Sequence, residues 1–296
     1  MLTRASTTVS WLHEVEPRAR PGVLRRLSRH RTALAGLVIL SVFVVATVLA
    51  PVLFPGDQTE ANLEQVLQRP SRAHPLGTDN LGRDLLMRIA YGARVSFLIG
   101  VLSVMFSALI GVPVGLISGY YGGSVDIGVQ RMVDLMLAFP GFLLALTLIS
   151  VLGVGVTNVV VAVGMATVPS YIRLVRGVAL SIRQQTYVEA AHALGAPEGR
   201  VIRRHVLPNC LAPLIVQSTL QLGTAILAAA GLGYLGLGVK PPTPEWGTML
   251  GEGQTYLLSS WYIATFPGIA IFLAVMAFNL LGDGLRDALD PRMKLD

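Results

Sequence analysis

Charge is scarce in this chain. Asp, Glu, Lys and Arg make up 14% of its 296 residues, where a soluble globular domain carries about 25%. Lysine is nearly missing, since Lys240 and Lys294 are the only two among 23 basic residues. A Walker-type phosphate loop needs Gly-Lys followed by Ser or Thr. Neither lysine follows a glycine, so ATP hydrolysis through such a loop is excluded and falls to another chain. The single cysteine, Cys210, excludes an internal disulfide. Together with His192 and His205 it makes no usual metal spacing, so no metal and no directly bound cofactor are expected. HExxH and GxSxG are both missing, which removes the motifs of zinc proteolysis and acyl transfer. The net charge is +6, but the basic residues sit at the ends of apolar segments and not in one polar patch. That arrangement excludes nucleic acid as the partner and is the pattern of a topology signal.

What remains is apolar. Hydrophobic residues make up 53% of the chain, in runs long enough to cross the roughly 30 Å hydrocarbon core of a bilayer. Six spans are expected, at 34–54, 95–119, 132–152, 158–175, 211–239 and 260–281. Each reads as a helix, because backbone in lipid must satisfy its hydrogen bonds within the segment. The expected class is therefore an all-α, polytopic helical membrane protein with contacts to membrane lipid. The first run lies behind a long basic segment and is longer than a signal core, so it is read as an uncleaved span.

Arginine sets the orientation. The N-terminal tail, the segment between the fourth and fifth spans, and the C-terminal tail are the arginine-rich parts. With an even number of spans all three fall on one side, which the positive-inside rule makes the cytoplasm. The expected layout is a cytoplasmic tail at 1–33, a first span with an external segment at 34–94, and a core at 95–285. Within that core a cytoplasmic loop runs from 176 to 209, and a second cytoplasmic tail covers 286–296. Residues 24–30 suit a short amphipathic helix on the inner leaflet, although a plain arginine cluster that sets topology explains them better.

The stretch 184–209 is hydrophilic and too long for a simple link. Gly195 suits a helix stop. Pro197 and Glu198 suit the start of a second helix, and Leu207-Pro208 suits its end. The result is a helix–turn–helix knob with a corner of small residues, Ala190, Ala191, Ala193, Gly195 and Ala196.

Glu189-Ala190-Ala191, then Gly195, then His205-Val206-Leu207-Pro208 resembles the EAA motif of permeases in binding-protein-dependent ABC importers. That resemblance implies a coupling helix docking on an ATPase subunit. Glu189, Ala190, Ala191, Gly195 and His205 would lie at or near the dock, and Leu207 and Pro208 would brace the return into the membrane. The external run His74-Pro75-Leu76-Gly77-Thr78-Asp79-Asn80-Leu81-Gly82-Arg83-Asp84 is similar to the signature of C-type permeases in the dipeptide, oligopeptide and nickel group. Gly282-Asp283-Gly284-Leu285-Arg286-Asp287 and Asp290-Pro291-Arg292 look like the same group. By residue chemistry alone, Pro75 and Gly77 make a turn and Thr78 or Asp79 caps a helix entering at Asn80. Arg83 and Arg88 would then lie on its polar side at the membrane surface.

The resemblance implies the type I ABC importer permease fold in a bacterial inner membrane. It also implies a second related permease, two ATPase subunits or domains carrying ATP and Mg2+, and an extracytoplasmic solute-binding protein. The implied function is uptake of dipeptides or oligopeptides by alternating access, with nickel chelates or haem-type cargo as alternatives. An ion-coupled secondary transporter is the rival from another class. It needs an intramembrane relay, and Asp134 is the candidate, although pairing with Arg131 explains that residue more simply.

Some weaker features remain. Gln217, Gln221 and Thr224 share one helix face and line a translocation path or bond between helices. Gly111, Gly115 and Gly119 form a small-residue packing face. The GxGxxG at 231–236 lies inside an apolar span, which excludes a dinucleotide site and suggests close packing. The external segment 240–259 is expected to contact a binding protein or solute near the pore mouth.

Overall fold

The computed structural model describes residue 27 and residues 30–289. The terminal Asp290-Pro291-Arg292 and most of the 24–30 segment lie outside the described residues. Nine α-helices follow one another, and no strand occurs among the described residues. They are α1 (Arg31–Leu53), α2 (Leu85–Tyr121), α3 (Gly123–Leu137), α4 (Gly141–Leu152), α5 (Val156–Arg183), α6 (Thr186–Ala193), α7 (Glu198–Tyr234), α8 (Trp246–Gly253) and α9 (Tyr262–Leu289). Five of them are long and apolar enough to cross a membrane, and α3 with α4 passes the same test only as a pair bent by 87°.

α2 is longer than the expected second span. Its 37 residues extend about 55 Å at 1.5 Å per residue, well beyond the bilayer core, so its first turns stand outside the apolar run. The helix starts at Leu85 and not at Asn80, because Asp84, not Thr78 or Asp79, caps it by accepting from the Met87 amide. At its far end α2 lies against α5. A Cβ on Gly115 would stand 2.7 Å from the Ile172 carbonyl oxygen, and one on Gly119 2.6 Å from that of Arg176. The four-residue glycine repeat thus brings two backbones into contact, as the sequence suggests. Within this contact Ser107 Oγ bonds the Gly164 carbonyl at 2.7 Å and also meets the Thr167 hydroxyl.

The third span differs from the expected straight helix over 132–152. Between α3 and α4 the chain turns by 87°. Pro140 has no N–H to donate and pushes the residue before it out of the helical region. Asp134 on α3 pairs with Arg173 of α5 at 2.7 Å, not with Arg131. That pair is half exposed and is no sealed relay.

The expected stop at Leu207-Pro208 is also absent, since α7 runs without a break from Glu198 to Tyr234. Residues Ile202–Val206 form a π turn, and the Leu207 amide reaches the Ile202 carbonyl. This wider turn lets the chain pass a proline that would otherwise clash with the turn before it.

The segment expected as an external loop at 240–259 folds back into the bundle as α8. Glu245, almost fully buried, caps α8 by accepting from the amides of Gly247 and Thr248 at 2.9 and 2.8 Å, and it takes a hydrogen bond from Ser96 at 3.0 Å. Trp246 is completely buried. Its indole donates to the Ile89 carbonyl at 3.0 Å and packs against Phe43 of α1 and Phe97 of α2. α8 is therefore pinned between α2, α7 and α9, and its rings also hold α1 to the core.

Candidate functional site

Three groups of residues were singled out by sequence, and each falls in a different part of the molecule. The first is the knob, which α6 and the start of α7 form. α6 ends in a turn at Gly195 (φ +79°), where the Gly195 amide bonds the His192 carbonyl and the Ala196 amide bonds that of Ala191. These two bonds satisfy the free carbonyls at a helix end, and they need a left-handed residue there. The inner side of the knob packs Val188, Val201 and Val206 against Leu116, Tyr120 and Val175. His192 Nε2 lies 3.2 Å from the Tyr120 hydroxyl at the end of α2. His205 packs on Tyr187 with ring centres 5.7 Å apart.

The outer side of the knob is bare. Glu189, Ala190 and Gly195 are exposed, Ala191 is half-buried, and Leu194 at the corner is 88% exposed. A Cβ placed on Gly195 would meet nothing within 4 Å. Leu207 is half-buried and Pro208 is exposed at the base. A projecting apolar leucine beside small side chains is a surface that another protein can approach closely.

The second group is the external motif, which folds into a tight turn over the start of α2. Gly77 (φ +83°) and Gly82 (φ +74°) hold left-handed conformations, and a Cβ on Gly82 would overlap the Asn62 carbonyl. Thr78 Oγ1 donates to the Gln65 carbonyl and accepts from the Gln68 amide. His74 Nδ1 lies 2.8 Å from Asp84 Oδ2. Leu76 packs on the core that holds Trp246, while Pro75 is exposed.

Arg83 and Arg88 do not lie on the membrane surface. They are 4% and 1% exposed. Asp79 holds Arg83 Nε at 2.7 Å and lies 3.4 Å from Arg88 Nε. Both arginines also reach Glu252 Oε2 of α8, at 3.4 and 3.5 Å. Burying an ion is tolerated only when countercharges and hydrogen bonds surround it. The motif therefore builds a charged joint between α2 and α8. Sequence reasoning missed this joint because Glu252 lies 164 residues after Arg88. The usable signal was local: Glu245 followed by Trp246-Gly247-Thr248 reads as a capped helix start.

The third group, on α7, is divided. Gln221 and Thr224 line a small cleft of about 220 Å³ with Phe142 of α4 and Thr167 of α5. Thr224 donates to Gln221 Oε1 at 2.5 Å. Gln217 instead lines a separate cleft of about 610 Å³ that also contains Asn209 and Arg286.

The sequence profile described as "Binding-protein-dependent transport system inner membrane component" matches residues 111–295. The chain belongs to this family. A second profile, the N-terminal transmembrane domain of oligopeptide transport permease C, matches residues 22–70 of the permease. The dipeptide transport system permease protein DppC of Alkalihalophilus pseudofirmus is 45% identical to it, over 91% of this chain and 89% of that one. The glutathione transport system permease protein GsiD of Pectobacterium atrosepticum is 44% identical, over 91% and 90%. Among solved structures, a chain of the MetNI methionine ABC transporter in an inward-facing form superposes with a TM-score of 0.57. It shares 20% identity and is covered to 96%, against 69% of this chain. The permease thus has the type I ABC importer permease fold and is a multi-pass inner-membrane protein. Among the described residues no group of three His, Cys, Asp or Glu side chains is placed to hold a metal ion.

Two further links in the permease were not legible in its sequence. Arg176 of α5 makes two bonds of 2.6 Å to Asp126 of α3, and Ser118 of α2 donates to the same carboxylate. These contacts tie three helices together at the base of the knob.

Proposed function

We propose that this permease is one membrane half of an ATP-driven importer for di- and oligopeptides, moved by a partner ATPase that grips the knob at α6 and the start of α7. The observation that carries the reading is the exposed Leu194 corner beside Glu189, Ala190 and Gly195, on an elbow firmly seated against the ends of α2 and α5. The seat transmits force and the bare corner receives it. ATP and Mg2+ bind the partner, and this chain is a non-catalytic subunit. A second, related permease completes the passage, which Gln217, Gln221 and Thr224 line. An extracytoplasmic protein delivers the solute. Both chain ends face the cytoplasm. The relatives named above act on dipeptides and glutathione, which supports peptides as the cargo. A relay-driven carrier fits poorly, because Asp134 is paired and half exposed.

The test replaces the corner. Leu194→Asp and Ala190→Trp leave the buried seat untouched. Each variant is expected to lose co-purification with the ATPase subunits and peptide uptake, while the membrane yield of the permease stays normal. Uptake and co-purification at wild-type levels in both variants would remove the knob from the mechanism.

A further inference from the structure

The cleft between the end of α7 and α8 has no role in the function described so far. It measures about 520 Å³, inside the range of small-ligand sites, and Glu252 and Lys240 supply its only charged side chains. Glu252 stands on the α8 wall with 23% of its side chain exposed. Both of its arginine contacts use the same oxygen, Oε2, at 3.4 and 3.5 Å, and neither uses Oε1. The carbonyl end of α7 forms the adjoining wall through Gly233, Tyr234 and Leu235. A helix C-terminus carries partial negative charge, so this wall favours a cation beside Glu252. Lys240 is exposed on the strip of chain that leaves α7 and also lines the cleft. The cleft is therefore polarised, with a carboxylate and a helix end along one side and an exposed ammonium also in its lining.

A polarised cleft of this size suits a short zwitterion. We infer that it is a transfer site for free peptide termini on the outer side of the permease. Glu252 Oε1 accepts from the α-ammonium, and Lys240 pairs with the α-carboxylate. The inference rests on the peptide reading above and adds to it a site that senses both ends of the cargo. The site also has a means of reporting. Glu252 belongs to the joint with Arg83 and Arg88, so an ammonium at Oε1 competes with the arginines for the same carboxylate. Occupancy of the cleft then loosens α8 from the head of α2.

The test uses the whole importer, with its partner permease and ATPase subunits, in nanodiscs and without binding protein. Alanyl-alanine, its N-acetyl form and its C-terminal amide are compared by saturation-transfer NMR on this assembly, and uptake is compared in proteoliposomes supplied with the extracytoplasmic binding protein, native against variant permease. The native importer is expected to prefer the free dipeptide over either blocked form by about tenfold, the effect of one charge-assisted hydrogen bond. Lys240→Gln is expected to abolish discrimination against the amide only, and Glu252→Gln discrimination against the N-acetyl form only. Lys240 is exposed, so its variant decides the question even if Glu252→Gln folds poorly. Unchanged end preference in Lys240→Gln, with peptide uptake intact, overturns the inference. The same holds if Lys240→Gln weakens docking of the binding protein but leaves end preference as it was, since the cleft is then a protein contact. An importer that moves no peptide even when its extracytoplasmic binding protein is supplied contradicts the proposed cargo.

Discussion

Arg88 shows how much a single side chain carries at the α8 end of the bundle. It is 1% exposed, and neither its Nε nor its Nη1 has a hydrogen-bond partner. Its charge is balanced only by Asp79 at 3.4 Å and Glu252 at 3.5 Å. Removing either partner of a buried ion pair leaves charge uncompensated, but without Asp79 the excess stays on two buried arginines, whereas without Arg88 it can rest on Glu252, whose side chain is 23% exposed. Asp79 also accepts from the amides of Leu81 and Arg83, so losing its charge weakens the turn as well. Asp79→Asn should therefore destabilise the permease by about 3–5 kcal/mol. Arg88→Met keeps the volume, removes two unmet donors and should cost far less. Thermal unfolding in detergent, followed by tryptophan fluorescence, ranks the two variants. A larger loss for Arg88→Met would mean that the arginine itself, and not charge balance, secures the joint.

Elements were legible where the cause is local and illegible where it is not. The spans stood out because apolar length is a property of one segment, and Gly195 stood out because a helix stop is a property of one turn. The bend at Pro140 was local too, but the apolar run on either side of it masked the break. α8 was misread because its Glu245, Trp246 and Thr248 look polar or mixed in sequence, and only Ser96, Phe43 and Phe97 make burying them favourable. The continuous α7 was misread because a proline normally stops a helix, whereas a π turn just before it absorbs the misfit. Of the knob, the exposed corner was readable from small residues, but its seat was not. Tyr120, next to last in α2, touches His192 of α6 at 3.2 Å, across 72 residues of chain. Since α2 begins at the Arg83–Arg88–Glu252 joint, one helix connects the knob with the opposite end of the bundle. Tyr120→Phe removes that hydrogen bond and keeps the ring packing. It should leave assembly with the ATPase intact and lower the amount of solute moved per ATP, about twofold to tenfold for a bond worth roughly 0.5–1.5 kcal/mol. Measuring uptake and hydrolysis together in proteoliposomes checks this, and an unchanged ratio would exclude Tyr120 from the link.

At the scale of the whole molecule, the fold and the charge pattern meet in topology. Five long helices and the α3–α4 bent pair give an even number of crossings if the pair spans fully. The knob and both chain ends then share a face, and Leu258 lies on the other. If the 87° bend instead returns α4 to the side from which α3 entered, the count is odd and the two chain ends part company. The arginine-rich segments argue for the even count, because the positive-inside rule sets each loop's side from its own basic residues. Cys210 is the sole thiol and is 1% exposed, so single cysteines can be placed on a quiet background. Leu258→Cys and Leu194→Cys each put a thiol at a highly exposed site. A membrane-impermeant maleimide on intact cells should label L258C at once, and L194C only after the membrane is opened. Labelling of L194C from outside would invert the knob and separate it from any cytoplasmic motor. Only α7 separates the two sites, so the reverse pattern, with L194C labelled outside and L258C only after opening, would make the α3–α4 pair a re-entrant loop with five true crossings.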